Sequence, residues 1–345
     1  MDRYRSRVTR PSSGAGIRIG VIGAGIAGLA AARTLHDHGH WVSVFEKSRG
    51  PGGRAATRRY GDIGFDHGAQ YFTARDPAFR RAVSAWQEAG IVTTWPARMA
   101  RVEDNRLSPS PDTQPRFVAV PGMNALGKHL AADLDVHRQT RVAPPEHDAA
   151  GWLLTSEEGA ALGRFDALIV ATPAPQAVPL LQVQAPALAR IAGQVEYHPM
   201  WAAMLHVDND DPAGFDGLFV KDGPIGWAAR NHGKSGRVGT TWVVHASTAW
   251  SREHLDSEPA DVSARLSGAL AKLLGLAPGK VRPAGTHRWL YSLAANPLSS
   301  GALWQPDLQL AACGDWCNGA RIEGAYLSGV SAAAHLLAHL HAASE

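Results

Sequence analysis

The run IRIGVIGAGIAGLAAA, residues 17–32, constrains the fold more than any other stretch. Gly23, Gly25 and Gly28 stand in G-x-G-x-x-G spacing where an apolar strand (17–22) turns into an alanine-rich helix (26–38). Each glycine has its own task there: a tight turn, room for a pyrophosphate against the backbone, and close helix–strand packing. The helix start, at Ala27, offers free N–H groups and a positive dipole end to phosphate. A second strand, WVSVFE (41–46), ends in Glu46, 18 residues after Gly28, where an acid binds ribose hydroxyls. The segment therefore predicts a dinucleotide site rather than a structural or membrane helix.

The residues after Glu46 bear on which dinucleotide it is. In KSRGPGGRAATRR, Arg49 precedes a second glycine cluster that includes Gly53, followed by Arg54 and Thr57. NAD needs no such cluster, whereas an enzyme holding FAD in an extended pose uses backbone amides and an arginine beside the pyrophosphate. Lys47 either reaches the adenosine ribose or phosphates or is solvated. Val142, after a strand, either meets the adenine through its main chain or is plain core. At the far end, CGDWCNGARIEGAYLSG (313–329) supplies Asp315 for a ribityl chain. Glu323, Gly324 and Ala325 open a helix whose N-terminus would face the flavin and stabilise negative charge on the reduced ring. Three such elements fit one FAD.

Charge argues against nucleic acid. Lys and Arg exceed Asp and Glu by 34 − 31 = 3. The first ten residues alone, MDRYRSRVTR, hold four Arg and one Asp, so the rest is formally neutral, with no concentrated basic block. That start lacks an apolar core followed by a small-residue cleavage site and reads as a disordered basic tail, residues 1–16. No stretch reaches the roughly 18–20 apolar residues of a membrane span. Two cysteines, Cys313 and Cys317, make neither a disulfide framework nor a zinc site, and a cytoplasmic protein without metal or membrane partner is expected.

Along the chain, DPAFRRAVSAWQEAG (76–90) opens with an N-cap and Pro at the first helical position. LSPSPDTQP (107–115) reads as a loop by its prolines. Next come a strand near 116–120, a helix near 122–133, strands around 136–142 and 152–155, and the apolar strand DALIVAT (166–172). From about 176 to 304 strand-like runs such as MWAAMLHV and TTWVVHAS alternate with loops and one helix near 259–274, and a last helix covers about 323–341.

Taken together, EKSRGPGGRAATRR, DHGAQYFTARD, LSPSPD, VATPAPQA, HRWLY and CGDWCNGARIEGAYLSG resemble the bacterial renalases, within the flavin amine oxidase superfamily, from about residue 17 to 341. The resemblance implies a two-domain α/β flavoprotein: a Rossmann-like fold of the amine oxidase or p-hydroxybenzoate hydroxylase type with a sheet-rich substrate domain. Residues 17–75, 116–175 and 305–345 would form a discontinuous FAD-binding domain, and 76–115 and 176–304 the substrate domain. It implies oxidation of isomeric NADH or NADPH carrying the hydride at ring position 2 or 6. Hydride would pass to non-covalent FAD and electrons to O₂, giving hydrogen peroxide, as metabolite repair. Gln70 and Tyr71 would lie nearest the flavin, unless DHGAQYF is an ordinary turn and strand. His245, opposite Val244 by strand alternation, is either a carboxamide or flavin partner or a buried core histidine. Trp289 and Tyr291 share a face and would sandwich a nicotinamide ring, unless Trp289 is core, with Arg288 reaching a phosphate from the rim. The remaining tryptophans are expected in the core. The rival readings are oxidation of a mono- or polyamine and a FAD-binding protein without turnover.

Overall fold

The computed structural model describes residues 16–104, 106–208, 214–277 and 279–342. The expected tail, residues 1–16, lies outside them apart from Gly16.

Strands Arg18–Ile22 and Ala167–Val170 are apolar almost throughout because both faces of the sheet they share are covered. That six-stranded sheet runs Leu303–Gln305, Leu310–Ala312, Ala167–Val170, Arg18–Ile22, Trp41–Glu46, Asp135–Arg138, parallel except at the first pair. Helices Ile26–Asp37 and Ile322–Ala342 cover one face, packed on each other. Trp152, Leu154 and Phe165 of a three-stranded meander cover the other.

The second layer is a seven-stranded sheet in the order Val281–Ala294, Tyr197–Val207, Thr241–Ala246, Ile225–Arg230, Gly217–Val220, Met99–Glu103, Arg106–Pro109. Its period-2 pattern divides the faces. Trp242, Val244 and Ala246 pack with Val262, Leu266 and Leu270 of helix Pro259–Leu273, while Val243 turns the other way, against Phe65. The expected loop at 107–115 is corrected here: Arg106–Pro109 is an edge strand, antiparallel to Met99–Glu103. Pro109 is tolerated because an edge strand leaves half its N–H groups outside the ladder. The helix expected at 122–133 is limited to Asn124–Leu130, and the strand expected at 136–142 is Asp135–Arg138, with Val142 in an isolated bridge.

Helix Pro77–Glu88 starts as its sequence dictates. The Asp76 carboxylate accepts from the N–H groups of Ala78 and Phe79, and Pro77 occupies the first turn. The two large sheets leave between them a cavity of about 2210 Å³.

Candidate active site

The cavity begins at the carboxyl ends of the parallel strands. Gly23 has φ +107°, and a Cβ on it would stand 2.8 Å from the Ala171 carbonyl oxygen. Gly28 does not line the cavity; a Cβ there would collide with the Gly23 carbonyl, so its task is packing. Gly25 and Ala27 do line it, and nothing lies within 4 Å of where a Gly25 Cβ would be. The second glycine cluster is tied directly to the first, because Gly52 N donates to Ala24 O at 2.8 Å. Gly53, at φ +56°, crosses close to Gly25. The Glu46 carboxylate is buried and accepts from Ala24 N (2.9 Å) and Ser48 N (2.7 Å), which fixes it at the cavity wall. Arg49 and Val142 also line the wall, as does Lys47, whose Nζ donates to Gln176 Oε1 at 3.0 Å. Burial, with Arg141 nearby, lowers the Lys47 pKa. The cradle that a side chain at Gly25 would invade and the fixed acid at a strand end fit an extended dinucleotide.

Arg54 does more than face the cavity. Its Nη1 and Nη2 donate to the two Asp315 oxygens (3.0 and 2.5 Å), and Nη1 also donates to Ser292 O at 2.9 Å. Burial opposes its charge, but Asp315 more than compensates and raises its pKa. Asp315 is thus engaged by the arginine expected on the pyrophosphate.

The other end of the cavity lies under the seven-stranded sheet. Cross-strand register sets Phe219 opposite Trp227, Trp227 opposite His245, His245 opposite Ala202, and Ala202 opposite His287. Cross-strand partners share a face, so these residues form one row. Phe219, Trp227, His245 and His287 line the cavity, and Ala202 between the two histidines is buried. His67 occupies this region: its ring stands 5.0 Å edge-on to His287 and stacks on Trp289 at 5.1 Å. Its carbonyl accepts from Trp289 Nε1 (3.0 Å) and His245 Nε2 (3.2 Å). Burial keeps the three rings neutral at pH 7, pushing His67 down to about 3 and His245 and His287 to about 4; the Arg58 charge acts the same way on His67 and His287.

Beneath this row is a buried ionic cluster that local spacing did not announce. Asp66 accepts from Arg237 Nε (3.0 Å) and Nη2 (2.6 Å), from Thr57 Oγ1 (2.7 Å) and from Met123 N (2.9 Å). Lys234 Nζ lies 3.6 Å from Asp66 and donates to Gln70 Oε1 at 2.7 Å. Burial pushes Lys234 down to about 8 against the pull of Asp66. Burial alone would raise the Asp66 carboxyl, but Lys234 and Arg237 outweigh it and hold it low. Gln70 Nε2 is bonded to the Asp66 carbonyl, so the cluster fixes the amide beside the cavity.

Gln70, Tyr71, His245, Trp289 and Tyr291 all line the cavity. Arg288 lines it too, with its guanidinium over the Trp201 ring and donating to Leu255 O at 2.6 Å. Three expectations need correction. Glu323 is spent on capping another segment: its Oε1 accepts from the backbone N–H groups of Arg75 and Asp76, both at 2.7 Å. Gly324 packs against the Gly319 carbonyl, and of Glu323, Gly324 and Ala325 only Ala325 lines the cavity, together with Ile322, the helix's first residue. Trp227, expected in the core, lines the cavity, which only its register against His245 reveals. Cys313 and Cys317 are buried and do not line the cavity; burial raises both thiols, Cys313 to about 12.

Residues 21–86 match the model of an NAD(P)-binding Rossmann-like domain, and residues 97–337, more than half the chain, match that of flavin containing amine oxidoreductases. A 74-residue stretch is 42% identical to AofH of Mycobacterium tuberculosis (strain ATCC 25618 / H37Rv), a flavin-containing monoamine oxidase by name, and covers 21% of this chain and 16% of that one. A 47-residue stretch is 51% identical to the flavin-dependent L-tryptophan oxidase RebO of Lentzea aerocolonigenes, over 14% of this chain and 10% of that one. The chain thus matches only a small part of the length of these relatives. Cyclohexylamine oxidase from Brevibacterium oxydans superposes with a TM-score of 0.74 at 14% identity, over 94% of this chain and 100% of that one. A redesigned putrescine oxidase gives 0.71 at 13% identity, over 94% and 99%. The fold is therefore shared with these two oxidases. The chain belongs to the flavin-containing amine oxidoreductase family, and its cofactor is FAD.

Proposed function

We propose that the protein oxidises isomeric dihydronicotinamide dinucleotides, 2- or 6-dihydro-NAD(P), to NAD(P)⁺, with O₂ as the final acceptor and hydrogen peroxide as the second product. The observation that carries this reading is the charge of the cavity under the seven-stranded sheet. Its wall there includes the neutral rings of His67, His245 and His287, with Trp227, Trp289 and Tyr291 and the cationic Arg288, and Arg58 donates to His287 Nδ1 at 3.3 Å. Among the described residues, the carboxylates lining the cavity are Glu46, Asp135 and Glu157, on the side of the six-stranded sheet and its meander, and Asp315, paired with Arg54. An amine, cationic near neutral pH, meets no free anion beside the aromatic rings. A dihydropyridine is neutral, and its dinucleotide phosphates suit an arginine-bearing mouth.

FAD, when bound, supplies the hydride acceptor and the route of electrons to O₂. Gly25, Ala27, Gly53, Glu46 and Arg54 would hold it, with Asp315 anchoring Arg54. The chain's remaining work is positional. Trp289 and His67 offer a stacked wall for a flat ring. Gln70, clamped by Lys234 and the Asp66 carbonyl, keeps its amide from turning. The neutral rings of His67, His245 and His287 take no proton from solvent at pH 7. A dihydropyridine needs no base, because its ring nitrogen pushes electrons outward as aromaticity returns. Holding the donor carbon about 3–3.5 Å from the acceptor is sufficient.

The test is anaerobic mixing of the yellow holoprotein with borohydride-reduced NAD⁺, which contains the 2-, 4- and 6-dihydro isomers, and in parallel with mono- and polyamines. Rapid bleaching by the 2- or 6-isomer, with NAD⁺ formed and colour restored in air, is expected. Bleaching by amines alone would move the protein to the amine oxidases, and bleaching by none would leave a FAD-binding protein without this turnover.

A further inference from the structure

The arginines lining the cavity differ in what they are bonded to. Arg54 is paired with Asp315, and Arg288 with Asp256 at 3.3 Å and the Leu255 carbonyl. Arg58, also on the wall, has no carboxylate partner among the described residues. Its Nη1 donates to Thr286 O and its Nη2 to His287 Nδ1, both at 3.3 Å. The Nε–H and one N–H on each terminal nitrogen are left without an acceptor among the described residues. Asp66, which bonds the neighbouring Thr57, is taken by Arg237 and Lys234.

Arg58 is held in place by a hairpin, Arg58–Tyr60 with Ile63–Phe65, in which it pairs with Phe65. Cross-strand partners share a face, and Phe65 packs against Met204 and Val243, so Arg58 is carried onto the seven-stranded sheet as well. Tyr60 shares that face and lies on Gly285, where a Cβ would collide with its hydroxyl. The guanidinium is therefore half-buried against the strand Val281–Ala294, whereas Arg59 turns the other way and is exposed. His287 packs on Trp289 at 4.3 Å and on His67 at 5.0 Å, and all three line the cavity. The two histidines are neutral at pH 7 and offset none of the arginine's charge. A partly desolvated guanidinium with spare donors and no counter-ion gains most from a phosphate, which its fork of donors binds bidentately.

We propose that Arg58 holds the phosphate attached to the nicotinamide ribose of the substrate. This rests on the dihydronicotinamide reading of the site and adds the group that selects a nucleotide over the free ring or its riboside. In such a nucleotide one ribose separates the ring from the phosphate. In the protein one histidine, His287, separates the Trp289 wall from Arg58. The glycine cradle at Gly25 and Gly53 is a separate place, at the strand ends of the six-stranded sheet. An amine would bring a second cation to Arg58 instead of an anion.

The experiment titrates the oxidised holoprotein calorimetrically, which needs no turnover, with nicotinamide riboside, nicotinamide mononucleotide and NAD⁺. All three carry the same pyridinium ring, and only the last two carry phosphate. Wild type should bind the mononucleotide about tenfold more tightly than the riboside at low salt, and the margin should shrink as salt is raised. Arg58→Gln should weaken the mononucleotide and NAD⁺ by about tenfold and leave the riboside unchanged. Arg58→Lys keeps the charge without the fork and should restore part of the loss. Equal binding of riboside and mononucleotide by wild type overturns the proposal. So does an equal loss of both in Arg58→Gln, the mark of a structural role, and so does a preference kept by Arg58→Gln but lost in Arg59→Gln. If Arg58→Gln loses its flavin, Arg58→Lys decides in its place: the margin of mononucleotide over riboside must fall, and an unchanged margin overturns the assignment. Bleaching by the dihydro isomers without any phosphate preference would sink the role of Arg58 and leave the oxidase reading standing. Neither bleaching nor binding of any probe would end both.

Discussion

His67, His245 and His287 couple the site to pH. Each has a folded-state pKa below the unfolded value of about 6.5, His67 at about 3 and the other two at about 4. The unfolded chain therefore takes up protons first as the solution is acidified. Their contribution is complete above about pH 6.5 and is lost as pH falls toward about 4 and then about 3. Asp66, held low by Lys234 and Arg237 against its burial, adds a loss of the same sign at more acid pH. His245→Asn should thus give a shallower fall in urea midpoint between pH 7 and 4 than wild type. Lys234, at about 8, produces the alkaline counterpart. Between about 8 and the unfolded value of about 10.4 the unfolded chain binds the extra proton, so stability rises with pH. Urea midpoints of Lys234→Met should lack that rise. Asp66→Asn leaves two buried cations without their anion and should cost about 3–5 kcal/mol, read from the shift in denaturation midpoint.

At the scale of elements, the FAD cradle depends on how closely two helices and two turns approach. The last helix, Ile322–Ala342, touches Ile26–Asp37 at Gly329, where a Cβ would collide with the Ala27 carbonyl at the helix start that lines the cavity. Gly329→Ala must push the two helices apart, and overpacking of this kind costs about 1–3 kcal/mol. Purified Gly329→Ala should therefore carry less flavin per chain, by the ratio of 450 nm to 280 nm absorbance, and melt at lower temperature. Undiminished flavin content would show that the contact is dispensable. Gly50, with nothing within 4 Å of a Cβ, is the matched control in the second glycine cluster, and its alanine variant should keep its flavin.

For the whole molecule, Arg54 is the residue that binds distant segments together. One guanidinium reaches the carbonyl of Ser292 at the edge of the seven-stranded sheet and the carboxylate of Asp315 beyond the parallel strand Leu310–Ala312. Its backbone carbonyl also accepts from Ala69 N at 2.9 Å, which sets the segment bearing Gln70 and Tyr71. Lysine keeps the charge but not the fork of donors. Arg54→Lys should therefore hold flavin more weakly, with faster release of free flavin fluorescence on dilution, while keeping its far-ultraviolet circular dichroism. No helix among the described residues is long and apolar enough to cross a membrane.

Spacing along the chain was enough for features set by one element or one turn. Gly23, Gly25 and Gly28 at a strand–helix join, Glu46 at the next strand end and the second glycine cluster each carry their meaning within a few residues, because backbone geometry repeats at fixed periods. The same periodicity placed His245 opposite Val244, whereas His287 through Leu293 all line the cavity, Trp289 and Tyr291 among them. What failed, or went unseen, depended on partners far off in sequence. Glu323 reads as ligand-facing until the backbone at 75–76 claims it. Lys234 and Arg237 sit in an ordinary turn sequence, and only the packing of Asp66 from about 170 residues earlier made them a buried cluster. Trp227 resembled any core tryptophan until the register against His245 put it at the wall. The sequence by itself determined the dinucleotide cradle, since that is a matter of local backbone. The tertiary structure alone decided which charges are buried and which donors stay unpaired, because burial is a property of the neighbours a side chain meets.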